Sequence, residues 1–216
     1  MDNTETIETL YKVAKDLFLR EGYKKTTIRK IAEHTGISIG LVIYHFSAKR
    51  HIAVKIILEQ FRVLQDIVRE YVNLHEDPML YTAVLIRLNR YVWWSWYRDF
   101  YLETLDSDIY TEAIELSGMR SSIELVKKLN LNNNDDYIDF YFNYLPVSIE
   151  RSLTLSKERG LLQKIEEDDI PDFIFRSSVD RFVTDKQSIA TTCQVSRQIV
   201  KKILRAEKKQ ILKKMV

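Results

Sequence analysis

Glycine and proline are scarce in this 216-residue chain, at five and three residues. Sheets joined by tight turns and glycine-built phosphate loops draw on both, so the expectation is an almost entirely helical protein. The single cysteine, Cys193, excludes a disulfide framework or a cysteine-rich zinc site and suits a reducing cytosol. No apolar run reaches the roughly 18 residues of a membrane span. The opening MDNTETIETL is acidic and polar, unlike a signal peptide, and a cytoplasmic location is expected. Catalytic signatures are missing too: no Gly-rich phosphate loop, no Gly-x-Ser-x-Gly, no His-Glu-x-x-His. The histidines His34, His45, His51 and His75 form no helical metal pair. No metal site, cofactor or enzymatic activity is expected.

What is present is an ordinary core-forming composition, 45% hydrophobic and 30% charged, on which charge is unevenly laid. The net +2 resolves into +3 over residues 1–52, −8 over 53–196 and +7 over 197–216. Basic ends around an acidic middle fit a polyanion partner, and they also fit solvated helix faces.

Apolar residues Ile7, Leu10, Tyr11, Ala14, Leu17 and Phe18 recur at helical steps, and Gly22 follows as a stop. Two short helices are expected at Ile28–His34 and Ser38 to about Phe46. A longer one from Lys49 to about Leu74 carries Ile52, Ile56, Val63, Ile67 and Leu74 on one stripe. Glu76-Asp77-Pro78 marks the next boundary. Further helices are expected near 79–103, 108–130, 135–158 and 170–185, then one or two more. The run Asn132-Asn133-Asn134-Asp135-Asp136 reads as a loop with a helix cap. Pro146 predicts a kink, and Gly160 a helix stop.

Within Thr27–Tyr44 the spacing is more specific. Thr27 is a plausible N-cap; Ile28, Ile31 and Ala32 share a face; and Gly36 can take the positive φ of a tight turn. Ile37 would plug a small core, Ser38 would cap the next helix, and Val42 would be buried behind an exposed N-terminal face. That is the arrangement of a DNA-binding helix-turn-helix, although helix pairs that only pack share the Ile-Ala-x-x-x-Gly-Ile-Ser spacing.

The flanks add landmarks. Phe18-Leu19-Arg20-Glu21-Gly22-Tyr23-Lys24-Lys25-Thr26-Thr27, then Ile28-Arg29-Lys30-Ile31-Ala32, Gly36-Ile37-Ser38 and Tyr44-His45-Phe46-Ser47-Ala48-Lys49 occur in order. This set resembles the N-terminal domain of TetR-family transcriptional repressors over about residues 6 to 60. The resemblance implies an all-α chain: a three-helix DNA-binding head (1–48), a connecting helix (49–76), and a helical body with a basic tail (77–216). Such a body dimerises and usually binds a small effector. Ser38 to His45 would be the recognition helix. Thr27, Tyr44, His45 and Lys49 match positions that touch phosphates, with Arg29 as a further candidate. Ile39, Gly40 and Leu41 match positions that meet base edges. Ile39 and Leu41 stand where polar residues are frequent, and Ile43 where an aromatic is frequent. Their apolar side chains favour thymine methyl groups and thus a T-rich operator.

Half of the 24 aromatics lie in two short segments, Tyr91–Tyr101 and Tyr137–Tyr144. On a helix the first places rings on nearly every face. Tyr91, Trp94, Trp96, Tyr97, Tyr101, Glu103 and Tyr141 are therefore candidates for an effector site, with an aromatic core or dimer interface as the competing reading. Asp99 and Glu103 fit either a cationic ligand or the nearby Arg98 and Arg87. In the tail, Ile189 to Val200 repeats the spacing of Ile31 to Val42, with Gln194 in place of the turn glycine. It reads either as a second nucleic-acid element or as one amphipathic helix with a basic end. The function expected is a homodimeric repressor released from double-stranded operator DNA by a small molecule. The alternatives are a DNA-binding protein without effector and an interaction module that retains the head.

Overall fold

A computed structural model describes residues 3–117, 120–132 and 135–215, and every regular element among them is helical. In α1 (Asn3–Glu21) the predicted stripe turns inward, burying Leu10, Ala14, Leu17 and Phe18. α2 (Ile28–Thr35) and α3 (Ile39–Phe46) cross beneath it, contributing Ile31, Ala32 and Val42. Burying each large aliphatic is worth about 1.5–3 kcal/mol, and a three-helix unit has few of them. The head core is accordingly continuous with the body. α4 (Lys49–Arg69) supplies Ile52, Ile56 and Ile57, and Phe18 lies 5.9 Å from Phe100 of the body.

The connecting helix stops at Arg69 rather than near Leu74. Val72 and Leu74 are nonetheless buried, in the turn that follows. Periodicity counted them as helical because their burial fits the same stripe. Asp77 then caps α5 (Pro78–Trp96), its Oδ1 accepting the Leu80 N–H at 3.0 Å, and Pro78 opens the helix at the expected boundary.

The helix expected over 79–103 breaks at Tyr97 (φ −137°, ψ 40°), and α6 (Arg98–Asp106) sets off anew. The break lets Phe100 and Tyr101 turn back onto Trp93. The span expected over 108–130 is likewise two helices, α7 (Ile109–Leu116) and α8 (Arg120–Lys128). Asn133 and Asn134 of the polar loop lie outside the described residues; Asp135 caps α9 (Asp136–Asp139), accepting the Tyr137 N–H at 2.8 Å.

Around Pro146 the chain widens before it continues. Phe140–Tyr144 form a π-turn in which the Leu145 N–H reaches the Phe140 carbonyl, and α10 (Leu145–Glu158) follows with Pro146 in its first turn. Proline has no N–H to offer the Phe142 carbonyl four residues back. Ser122 Oγ of α8 donates to that carbonyl instead, at 3.4 Å.

After a 3₁₀ turn (Glu167–Asp169), α11 (Ile170–Val179) ends before the expected residue 185, and Phe182 and Val183 fold back onto the core. The tail is one helix, α12 (Lys186–Met215). It packs along α5 and α4, burying Val200, Ile203, Ile211 and Met215, and the Met215 carbonyl accepts Gln60 Nε2 at 3.1 Å. The tail therefore contains no second helix-turn-helix. No helix among the described residues is long and apolar enough to cross a membrane.

Candidate nucleic-acid interface and body cavity

The turn between α2 and α3 has the geometry its residues predict. Thr27 caps α2, its side chain accepting the Lys30 N–H at 3.1 Å. Gly36 ends the helix at φ 68°, ψ 12°, a left-handed conformation that costs other residues their Cβ clearance. Ser38 then caps α3 through the Leu41 N–H at 3.3 Å. Both caps satisfy backbone donors that would otherwise be orphaned at a helix start.

Val42 is the only fully buried residue of α3, and it anchors the helix so that the opposite side faces out. Ile39, Leu41, Ile43 and Tyr44 are 45%, 39%, 47% and 77% exposed. Four large apolar side chains on one eight-residue helix form a surface that water does not favour. Gly40 sits among them, and a Cβ added there would meet nothing within 4 Å, so partner atoms can approach the backbone itself. Ile43 belongs to this exposed face and was not among the residues expected to contact DNA; its i+4 spacing from Ile39 is the signal that groups the two.

The charged candidates divide into free and committed groups. Arg29 is exposed and pairs through Nε with Glu33 at 3.0 Å. Tyr44 stands outward, its ring edge-on to His45 at 5.1 Å. His45 is half-buried, and its Nε2 has no partner. Lys49 turns back into the head: its Nζ donates to the carbonyls of Tyr23 (3.0 Å) and Thr26 (3.2 Å) and lies 4.0 Å from the Tyr23 ring centroid. Burial pushes its pKa down. An ammonium has three protons, and the two carbonyls take two of them.

Polar contacts join the head to the body. Glu103 Oε2 accepts the Lys24 N–H at 2.7 Å, and a Cβ on Gly22 (φ 90°) would stand 2.8 Å from that oxygen. Only glycine lets the carboxylate in so close. Arg50, in the first turn of α4, pairs with Glu112 and donates to the Ser107 (2.9 Å) and Asp108 (3.3 Å) carbonyls between α6 and α7.

The seven effector candidates scatter. Tyr91 and Trp94 border an outer groove of about 300 Å³ with Arg87, Arg90, Arg197 and Lys201. Trp96 packs edge-on against Tyr91, and Tyr97 occupies the α5–α6 break. Tyr101 is buried, Glu103 serves the head–body contact, and Tyr141 packs on Phe182. Neither acid near the aromatics pairs with Arg87 or Arg98: Arg87 binds Asp168 (2.9 Å) and Asp172, and Arg98 binds Glu158.

A separate cavity of about 50 Å³ lies among α4, α5, α7, α8, α10 and α11. Its wall is mainly apolar (Phe61, Leu85, Ile86, Ile114, Phe142, Ile174), with Thr82, Asn89, Tyr110, Ser122, Glu150 and Ser178 as polar points. Asn89 accepts the Trp93 Nε1–H at 3.0 Å and donates to the Tyr110 hydroxyl. Burial holds the Tyr110 and Tyr101 phenols well above their ordinary range. It also raises the Glu150 carboxyl, against the opposing pull of Arg90 and the Tyr101 hydrogen bond. Sequence reading missed this polar set because Thr82 and Asn89 (α5), Tyr110 (α7) and Glu150 (α10) belong to three dispersed segments that form no motif. The lone Cys193 is buried elsewhere; burial and the nearby Asp172 push its thiol up to about 11, leaving little thiolate.

Residues 10–56 match the family model described as bacterial regulatory proteins, tetR family. A tetR-family transcriptional regulator from Streptomyces coelicolor has a similar structure, with a TM-score of 0.53 and 14% identity over 95% of this chain and 98% of that one. A gamma-butyrolactone receptor (ArpA-like protein) gives a TM-score of 0.48 and 16% identity, over 94% and 100% of the two chains. Mycobacterium smegmatis AmtR gives 0.43 and 15%, over 85% and 90%. No curated protein matches the chain. At these identities the first likeness shows a shared fold, head and helical body together, while the match over residues 10–56 concerns the head itself. Over those residues the chain resembles the bacterial regulatory proteins of the tetR family, and its head has their helix-turn-helix fold.

Proposed function

We propose that this protein is a homodimeric repressor that leaves its operator when a small molecule binds the body. The observation that carries the reading is the outward apolar face of α3, held by Val42 on a head whose core runs without interruption into a body with its own cavity. In this reading residues 1–48 are the DNA-binding head, 49–76 the connector, and 77–216 the effector and dimerisation domain. Ile39, Gly40, Leu41 and Ile43 meet base edges. Thr27, Arg29, Ser38, Tyr44, His45 and the free proton of Lys49 serve the phosphates, setting register without reading sequence. Apolar contacts select thymine methyls, so the operator is T-rich where α3 enters.

Exposed Tyr137, Phe140, Tyr144 and Phe173 support dimerisation. They lie on the continuous α9–α10 segment and on α11, which pack together, and large apolar side chains grouped on one surface favour a partner. A second copy would set two recognition helices about 34–36 Å apart, in successive major grooves. Coupling would run through α7. Tyr110 and Ile114 line the cavity, while Glu112 of the same helix holds Arg50 at the start of α4. A ligand that fits a shifted α7 better would weaken operator binding by the difference in its affinity for the two states.

The test is salt-titrated binding to DNA from upstream of the protein's own coding region, with random DNA as control. The expected result is affinity that falls steeply with salt yet exceeds the control at every salt concentration. Equal, weak binding to both DNAs would move an interaction role to the front. The small volume of the cavity, about 50 Å³, favours a second reading, a DNA-binding protein with no effector; a screen in which no small molecule releases the complex would select it.

A further inference from the structure

We infer that the body cavity takes a small cationic amine, its ammonium group against Glu150 and Thr82 and its short apolar chain against Phe61, Leu85, Ile114 and Phe142. This assignment rests on the reading of the body as an effector domain and adds the chemical class of the effector.

Two side chains on the cavity wall are built for a donor that the protein does not supply. Thr82 is only 8% exposed, and its Oγ1 has no hydrogen-bond partner. A hydroxyl buried mid-helix ordinarily returns to a backbone carbonyl or finds a neighbour. Glu150 is 6% exposed and receives one hydrogen bond, from the Tyr101 hydroxyl. A carboxylate has about four acceptor positions, so most of its capacity is unused.

The charges around Glu150 are equally incomplete. Arg90 of α5 is the nearby cation, but its guanidinium is engaged elsewhere: Nη2 binds Glu167 at 2.7 Å, and Nη1 binds Thr154 (2.7 Å) and the Tyr101 oxygen (3.2 Å). Glu167 is shared by Arg90 and Lys157 (3.6 Å), and Tyr101 (α6) and Tyr110 (α7) stay neutral. An ionised Glu150 thus has no cation in direct contact beside an apolar cavity, a costly state unless one joins it. An ammonium supplies both the charge and the protons that Glu150 and Thr82 can accept. An anion meets like charge, and an alcohol offers one proton and no charge.

Size and placement fit the same class. A water position needs roughly 10–15 Å³ of such space, so a cavity of about 50 Å³ suits a ligand of only a few heavy atoms. The π-turn Phe140–Tyr144 borders it through Phe142; π-turns recur at ligand sites, where they redirect side chains.

Calorimetric titration of the full chain with n-butylamine, 1-butanol and butyrate at one pH near neutral tests the assignment. The amine is expected to bind at least about tenfold more tightly than the alcohol, and butyrate not at all. Glu150→Gln should weaken the amine about 10- to 100-fold, the range for a charge-assisted hydrogen bond, and leave the alcohol within about threefold. Thr82→Val, which keeps the side-chain shape, should weaken the amine by a smaller factor. Thermal melts of both variants verify folding. Butyrate binding as well as the amine, or undiminished amine affinity in both folded variants, would overturn the assignment. The same ligands added to the operator complex separate it from the reading beneath it. An amine that binds without releasing DNA removes the effector role and keeps the amine site. Release by neutral or anionic compounds, with no amine binding, keeps the effector role and removes the amine site.

Discussion

The same twelve-residue spacing occurs twice in this chain and folds in two ways. Ile31, Ala32, Ile37, Ser38 and Val42 in the head correspond to Ile189, Ala190, Val195, Ser196 and Val200 in the tail. In the head the segment is two helices around a turn; in the tail it is the interior of α12. Ile31 and Ile189 are equally buried. The two serines show the difference best. Ser38 lies at a helix start and accepts the Leu41 N–H, whereas Ser196 lies mid-helix, donates to the Cys193 carbonyl at 2.8 Å and accepts Arg87 Nε at 3.2 Å. At the turn position the two part company: Gly36 adopts φ 68°, while Gln194 continues an exposed helix face. Hydrophobic spacing specifies what is buried, and the turn residue specifies whether the chain reverses.

Four substitutions probe this contrast, in falling order of effect. Ile31→Ala and Ile189→Ala should each cost about 2–5 kcal/mol, read from urea unfolding; a large inequality between them would break the equivalence of the two buried positions. Gly36→Gln places in the head the residue found in the tail. A Cβ there meets nothing within 4 Å, so the expected loss of about 1–2 kcal/mol is backbone strain alone, accompanied by weaker operator binding as α3 loses its orientation. Unchanged stability and unchanged DNA affinity would show that the turn does not depend on glycine. Gln194→Gly should cost only about 1 kcal/mol and leave both circular dichroism and DNA affinity nearly unchanged. A drop in helicity would mean that a glycine suffices to open a turn in α12.

The head was legible because each of its features is local. Caps at Thr27 and Ser38, the positive φ of Gly36 and the burial of Val42 all follow from neighbours within a few residues. Lys49 was only half legible: its place at the start of α4 is a sequence fact, but its bonds to the Tyr23 and Thr26 carbonyls need the loop folded over it. The aromatic clusters were visible as composition and unreadable as destination. Trp93, Phe100 and Tyr101 are buried, while Tyr137, Phe140 and Tyr144 face outward. Density of rings does not say which face of a helix meets the core.

The sequence by itself determined the helical class, the head with its turn and caps, and the start of α5 at Pro78, because propensity, capping and short-range spacing act within a few residues. Tertiary structure alone decided that the tail helix lies along α4 and α5, and that the chain breaks at Tyr97. It also brought Thr82, Tyr110 and Glu150 to one small cavity. Those outcomes depend on side chains far apart in sequence competing for the same buried space, and that competition is settled only when the whole core packs.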